Sequence, residues 1–450
     1  MTHILIKNAT VLRCFPFEKC KCSPITTNAS IYISNGRIER IASAPDLVTK
    51  NDLAEYKEID AKGRLVMPGL VNAHTHLYSA FAKGIPAIAQ SNDFEAILEN
   101  LWWKLDNLLT PEACYYSALV SCIEAIKAGT TTLVDHHSAP RSLGMTELVK
   151  AIRETGMRAQ CCFETTDRNG PHLAEMGLGA NEQLLRSIAG SKDTKVQAMV
   201  GLHASFTLGN ETLRKAVDLA EKYDVGCHIH LAEDPLDQDH CLNNFGCRVA
   251  ERLDRFGVLN EKALVAHGVH LHEDELELLK ERNCFLVHNP QSNMNNGVGV
   301  ARIDRWKHHD LHIGLGTDAM TANMLEEVRT GIWLQKLRSG NPSCGFTWAP
   351  EALLKGNYKW IQSVWSDRFG CITPGAPADL IMLNYRPSTP LNQENWLGHL
   401  VFGASQVKVD STIIDGEILM QDGQLTLLDE SAVYEESRKH AQELWRLFQK

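Results

Sequence analysis

The sequence has no uninterrupted apolar run of about 18 residues, the length a membrane-spanning helix needs. Near Met1 there is no basic segment followed by a short apolar stretch, so no secretory leader is expected. Basic residues are in the minority, 45 against 55 acidic, for a formal net charge of -10. No stripe of basic and aromatic residues of the kind that tracks phosphates is present. Neither a membrane nor a nucleic acid is therefore an expected partner. Internal repeats and low-complexity tracts are also missing. The 13 cysteines are odd in number, and most lie in apolar runs such as RAQCCFE and NCFLVHN. Thiols placed this way behave as small buried hydrophobes in a reducing compartment. Cys20 and Cys22 in KCKCSP have no second CxxC or CxxH nearby and read as surface thiols rather than a metal clip. These absences point to a soluble, cytoplasmic chain.

What is present is length and alternation. A chain of 450 residues exceeds the usual single domain and can bury a large core. Residues 1–64 show short alternating segments punctuated by Asn, Gly and Pro, and the same texture returns over 370–425. Both read as small antiparallel strands, so a composite β-sandwich built from the two chain ends is expected. Between them, over 65–369, apolar strands alternate with helices, from LVMPGLVNAHTH through TTTLVDHH, MRAQCCFETT, VQAMVGLHA, VGCHIHLAE, ALVAHGV and CFLVHNP to HIGLGTDAM. Eight strands in this cycle make an α/β protein with a (β/α)8 TIM-like barrel, whose functional residues gather at the C-terminal ends of the strands. One helix is expected to start at Thr110 as N-cap with Pro111 at its first position, and to close at Gly129. The stretch 426–450 reads as an amphipathic helix packed on the barrel exterior. The connection from Leu77 to Leu109 is the longest and carries Trp102 and Trp103; it is long enough to close over a ligand, and its tryptophans fit a core role equally well.

Polar residues end several of these apolar strands. Leu65–His76 closes in two histidines one residue apart, and side chains alternate along a strand, so His74 and His76 share a face and can share a metal ion. Strand five ends in His230 followed by Glu233, strand six in His267 and strand eight in Asp318. Each is a metal ligand or acid-base group by type, and a barrel aims such groups at one point. At the end of strand two, alternation lets only one of His136 and His137 face the pocket, and His137 is taken as the contact. Glu164 ends strand three. His288, Asn289, Ser292 and Asn293 end strand seven, where they can meet a heterocycle's edge or merely cap a turn.

VMPGLVNAHTH, HLAE, VAHG, HNPQSNM and GLGTD together resemble the amidohydrolase superfamily, in its metal-dependent deaminase and chlorohydrolase branch. NLWWKLD, FETTDRN and SNMNN are similar to aminohydrolases of the SsnA type. The resemblance implies that His74, His76, His230 and Asp318 bind a metal, that Glu233 shuttles protons, and that His267, with Asp318, orients the hydrolytic water. It implies substrate contact for His203, although Ser205 and Phe206 stand where the family usually has proline and tyrosine. Trp103 joins the expected substrate contacts. Strand four carries no lysine of the kind that bridges two metals in dinuclear members, so one ion is expected. Three imidazoles and a carboxylate suit a divalent transition metal, zinc first, with iron or manganese as alternatives. The implied activity is hydrolysis of a non-peptide C–N bond in a purine-like heterocycle, as a deamination in purine catabolism. The competing expectations are a cyclic amidohydrolase that opens an oxopurine ring and, remotely, a non-catalytic scaffold. By analogy with the family, a homodimer or higher oligomer is expected.

Overall fold

The computed structural model describes residues 3–13, 24–43 and 56–450. Cys20 and Cys22 lie outside the described residues; eight of the described cysteines, Cys161, Cys162 and Cys284 among them, are buried free thiols.

Strands from the two chain ends meet in one nine-stranded hydrogen-bonded sheet where a two-sheet sandwich is expected from the sequence. His3–Leu12, Ile25–Ser34, Arg37–Ser43, Lys57–Asp60 and Leu65–Pro68 supply one side, and Leu380–Leu383, Val409–Ile414, Glu417–Gln421 and Gln424–Leu425 the other. The seam is the antiparallel pair of Leu65–Pro68 with Leu380–Leu383, in register from Leu65↔Leu383 to Pro68↔Leu380. Ile4, Ile31, Ile33, Leu380 and Ile413 share one core cluster, so both sides bury the same face. Hairpins close at Asn35–Gly36 and Asp415–Gly416, where all four residues hold positive φ, the conformation that two-residue hairpin turns demand.

Pro68–Gly69 is the junction between this sheet and the barrel. The apolar run from Leu65 reads as one strand in the sequence, but Pro68 has no N–H to continue a ladder. Gly69 N–H donates to Asp379 O, on the outer sheet's side, and Leu70 N–H donates to Gly129 O, on the barrel's side. A Cβ on Gly69 would lie 2.2 Å from the Thr131 side chain, so only glycine fits the crossing. Leu65–Pro68 thus belongs to the outer sheet, and the barrel begins at Leu70.

The barrel strands are β1 Leu70–Thr75, β2 Thr130–His137, β3 Arg158–Phe163, β4 Val200–Ala204, β5 Cys227–Leu231, β6 Leu264–His267, β7 Phe285–His288 and β8 His312–Leu315. They run parallel in two sheets, β1 to β3 with the short strand Val196–Ala198, and β4 to β8. Isolated parallel bridges join the sheets at Thr75↔Asp318 and Thr165↔Leu202. The fourth strand of the sequence reading breaks at Met199, because Met199 N–H donates back to Cys161 O whereas Val200 N–H donates forward to Gly226 O. The fold is of the TIM-barrel type.

Pro111–Lys127 is a helix capped by the Thr110 side chain, which accepts from Ala113 N–H at 3.2 Å. The last helix, Glu430–Phe448, lays Leu444 and Phe448 against Tyr78, Phe81, Leu105 and Leu109 of the connection after β1. Its Trp445 Nε1 donates to Phe81 O at 2.8 Å, tying that connection down from outside. No described helix is long and apolar enough to cross a membrane.

Candidate active site and metal centre

The C-terminal ends of β1, β5 and β8 bring four groups to one point. His76 Nε2 lies 3.1 Å from Asp318 Oδ1, His74 Nε2 3.8 Å from the same oxygen, and His230 Nε2 3.3 Å from His76 Nε2. A tetrahedral ion with bonds of about 2.1 Å spaces its ligands by about 3.4 Å, so these atoms can hold one such ion. His74 Nε2 is fully buried with no hydrogen-bond partner, and so is His267 Nε2. Orphaned imidazole nitrogens in a dry interior cost free energy unless a cation or a water meets them. On this observation the residues fit a divalent transition metal.

The backbone holds these groups in strained positions. His267 and Asp318 both sit at positive φ, 78° and 53°, conformations that non-glycine residues adopt only when the surroundings impose them. Thr317 and Asp318 N–H both donate to His74 O, at 3.0 and 2.9 Å, locking β8 to β1. Three of the rings also have a partner behind them. His76 Nδ1 donates to His136 O at 2.6 Å, His74 Nδ1 faces His228 Nε2 at 2.9 Å, and His267 Nδ1 faces Asn293 Oδ1 at 2.9 Å. Ser292 Oγ donates to Asp318 Oδ2 at 2.5 Å.

Charge separates these groups. Burial works against ionising Asp318, but the hydrogen bond and charge of His76 outweigh it and hold the carboxyl well below its usual range. Burial likewise opposes a charge on His76, yet Asp318 brings it up to about 9. His74 and His230 are driven well below the ordinary imidazole value, chiefly by burial and then by neighbouring imidazoles. Both are therefore neutral ligands by type. Glu233 is pushed up to about 7, mainly by burial, and its Oε2 lies 3.4 Å from His267 Nε2. Asn296 Nδ2 donates to its other oxygen at 3.3 Å.

Beside this cluster lies a pocket lined by His76, Tyr78, Phe94, Trp103, Glu164, His203, Phe206 and Glu233, among others. Trp103 and Phe206 sit 6.5 Å apart at 35°, and Trp103 meets His203 edge-on at 6.2 Å. Arg168 pairs with buried Asp106, which also accepts from Ser138 Oγ at 2.9 Å. Glu164 stands 3.5 Å from His136 Nδ1, 3.8 Å from His203 Nε2 and 3.9 Å from Arg168, and burial raises its carboxyl to about 7.

The structure gathers His74, His76, His230, Glu233, His267 and Asp318, with His203, Glu164 and Trp103 on the pocket wall. Five expected substrate contacts are placed elsewhere. His137 packs between Tyr78 and Phe163 and is not on the wall; its neighbour His136 turns toward the cluster, 4.8 Å from the His230 ring. Strand alternation allows one of the two, and the phase of the strand selects His136. His288 is enclosed by Trp306 and Trp348, and Asn289 is fully buried. Ser292 and Asn293 serve Asp318 and His267 rather than the pocket, because the Pro290–Asn295 helical turn runs behind those two groups. Missed from the sequence were His228, Cys162, the Asp106–Arg168 pair and Asn296. A signal for His228 was available, since HIH in β5 repeats the period-two pattern that singled out His74 and His76.

Comparison with known proteins agrees with this geometry. The amidohydrolase family profile matches residues 65–419. A 5'-deoxyadenosine deaminase of Methanobrevibacter smithii is 33% identical over 98% of both chains. A 5-methylthioadenosine/S-adenosylhomocysteine deaminase of Pelotomaculum thermopropionicum is 32% identical, again over 98% of both. Among solved structures, an adenosine deaminase from Xanthomonas campestris with bound zinc superposes with a TM-score of 0.82 at 21% identity, covering 98% of each chain. A zinc complex of atrazine chlorohydrolase from Arthrobacter aurescens gives 0.82 at 18%, covering 97% of this chain and 100% of that one; these two show the fold. With the family profile spanning most of the sequence and relatives aligned along its whole length, the chain belongs to the amidohydrolase family.

Proposed function

We propose that this hydrolase of non-peptide carbon–nitrogen bonds deaminates an amino-substituted purine or purine nucleoside, using one zinc ion held by His74, His76, His230 and Asp318. The observation that carries the reading is Glu233, a partly buried carboxyl raised to about 7 and set 3.4 Å from His267 beside the four converging ligand atoms. A group with a pKa near the working pH can both give and take a proton, and deamination needs both. The relatives that span the whole chain are named for adenosine-type deamination, which favours this bond over others.

A divalent ion at this point would supply Lewis-acid activation of a water, lowering its pKa toward 7. His267, with Nδ1 fixed by Asn293, directs Nε2 at the space between Glu233 and Asp318, and so orients that water. Trp103 and Phe206, both on the pocket wall with their rings tilted 35° to each other, offer aromatic surface for a planar heterocycle. Glu233 takes a proton from the water as the oxygen adds to the amino-bearing carbon, and gives it to the adjacent ring nitrogen. Glu233 then passes the remaining hydroxyl proton to the exocyclic amine, so that the C–N bond breaks, ammonia leaves and the carbonyl forms. One water is consumed and one ammonia released. A cytoplasmic setting and a place in purine catabolism belong to the same proposal.

The test is elemental analysis of purified protein together with a screen of 5'-deoxyadenosine, methylthioadenosine, adenosine, adenine, guanine and pterins for ammonia release. About one transition metal per chain and stoichiometric ammonia are expected. A chain that consumes a purine's ultraviolet absorbance without releasing ammonia is a ring-opening enzyme, and two metals per chain would end the single-ion reading.

A further inference from the structure

Beneath the ligand cluster lies a second, fully buried layer of His136, Cys162 and His228. His74 Nδ1 lies 2.9 Å from His228 Nε2, His228 Nδ1 lies 3.7 Å from Cys162 Sγ, and Cys162 Sγ–H donates to Asp135 O at 3.5 Å. The His136 ring stacks on His228 at 4.4 Å and 30°, fixing its plane. We infer that His228 is a positioning residue: it accepts the Nδ1 proton of His74, and so fixes which nitrogen of His74 faces the metal and where the ring points.

Two readings of this layer compete, and tautomers decide between them. The donor atoms of His136, Cys162 and His228 lie within 4.8 Å of one another, so on distance alone they could hold a second ion. A neutral imidazole carries one N–H. If His74 faces a metal through Nε2, its proton is on Nδ1 and points at His228 Nε2, which must then present a lone pair. The His228 proton is consequently on Nδ1, toward Cys162, and a protonated nitrogen cannot ligate. The thiol in turn keeps its proton, donating it to Asp135 O. Occupation of the upper site therefore sets every proton in the chain below it and excludes a second ion there. His76 differs in resting on a backbone carbonyl, so of these two ligands from β1 only His74 depends on a side chain that substitution can remove.

This inference rests on the proposed metal site, and the experiment separates the two. Zinc and cobalt(II) affinities are measured by chelator competition for the wild type, His228→Leu and His228→Gln. Leucine removes the acceptor at similar volume; the glutamine carbonyl can reach the position of Nε2. His228→Leu should lose about 10- to 100-fold in metal affinity, and His228→Gln should recover most of it, which a purely structural role would not do. Wild type that binds no ion sinks the site itself, whereas wild type with one ion and an equally tight His228→Leu sinks the role of His228 alone. Histidine-selective 15N labelling of the zinc-loaded wild type needs no variant to fold: an Nδ1–H tautomer at His228 is expected, and Nε2–H overturns the inference. Cobalt(II) titration should stop at one equivalent with no thiolate-to-cobalt charge-transfer band. A second equivalent with that band means Cys162 is a ligand and the inference is wrong.

Discussion

Strand β3 carries a buried charge at each end, and the two are treated in opposite ways. At its start, Arg158 meets Asp379 at 3.2 Å and Asp415 at 2.7 Å, and its guanidinium lies 4.7 Å from the Phe369 ring centre. Burial opposes its charge, but the two carboxylates outweigh burial and raise its pKa. One residue past the other end, Glu164 has no contact shorter than 3.5 Å to His136, His203 or Arg168, and burial raises its carboxyl to about 7. The contrast extends around the barrel. At the start Tyr358 Oη donates to Gly69 O and Trp360 Nε1 to Gln160 Oε1, whereas at the other end His74, His136 and His267 keep unpartnered nitrogens. A charge fully paired within the protein contributes to holding the fold, and one left partly unpaired is available to something from outside.

The sharpest test of that contrast lies at the open end. Glu233→Gln should retain its metal and lose about a hundred- to ten-thousand-fold in turnover, because the amide cannot carry the proton. His230→Ala should lose metal and turnover together. Metal content and rates on both variants check this; a Glu233→Gln protein that empties as fully as His230→Ala would make Glu233 a ligand.

At the closed end the expectation is reversed. Arg158→Leu leaves Asp379 buried without its partner, and removing one member of a buried pair typically costs about 3–5 kcal/mol. Denaturant unfolding should show that loss while turnover per folded molecule stays near wild type. A variant of normal stability and poor turnover would erase the distinction between the two ends.

Ser292→Ala probes the intermediate case, a hydroxyl that serves the open end without touching substrate. Losing its hydrogen bond to Asp318 should weaken metal binding about 10- to 100-fold, read by chelator competition, with unfolding of the metal-free protein unchanged.

A pH-dependent effect is expected at Asp237, where burial raises the carboxyl to about 7 even though Ala232 and Phe206 N–H both donate to it. An unfolded chain releases that proton near 3.9. Between these values the folded state holds a proton that the unfolded state has lost, so stability is greatest below about 4 and falls as pH rises toward 7. Asp237→Asn should remove a slope of roughly 1.4 kcal/mol per pH unit. Unfolding of both proteins from pH 4.5 to 7 measures it, and identical slopes would show that Asp237 ionises freely.

Alternation along strands carried most of the site into view from the sequence, since His74, His76, His230 and Asp318 each end an apolar run. Phase and depth were not legible. Nothing in TTTLVDHH tells which of two adjacent histidines faces inward, and the answer, His136, depends on how β2 registers with β3. The roles of Ser292 and Asn293 depend on where a helical turn passes behind β6 and β8, which no local pattern encodes. The outer sheet was visible as texture at both chain ends. Its reach to Pro68 was hidden because the apolar run continues unbroken across the crossing at Gly69.

That crossing bears on the order of events during synthesis. Leu65–Pro68 leaves the ribosome immediately ahead of the two histidines of β1, yet its partner Leu380–Leu383 follows more than three hundred residues later. Until then one edge of the strand leading into β1 has no neighbour, and an apolar edge in that state recruits other chains. Incomplete copies ending before Leu380 should therefore aggregate more readily than the full chain.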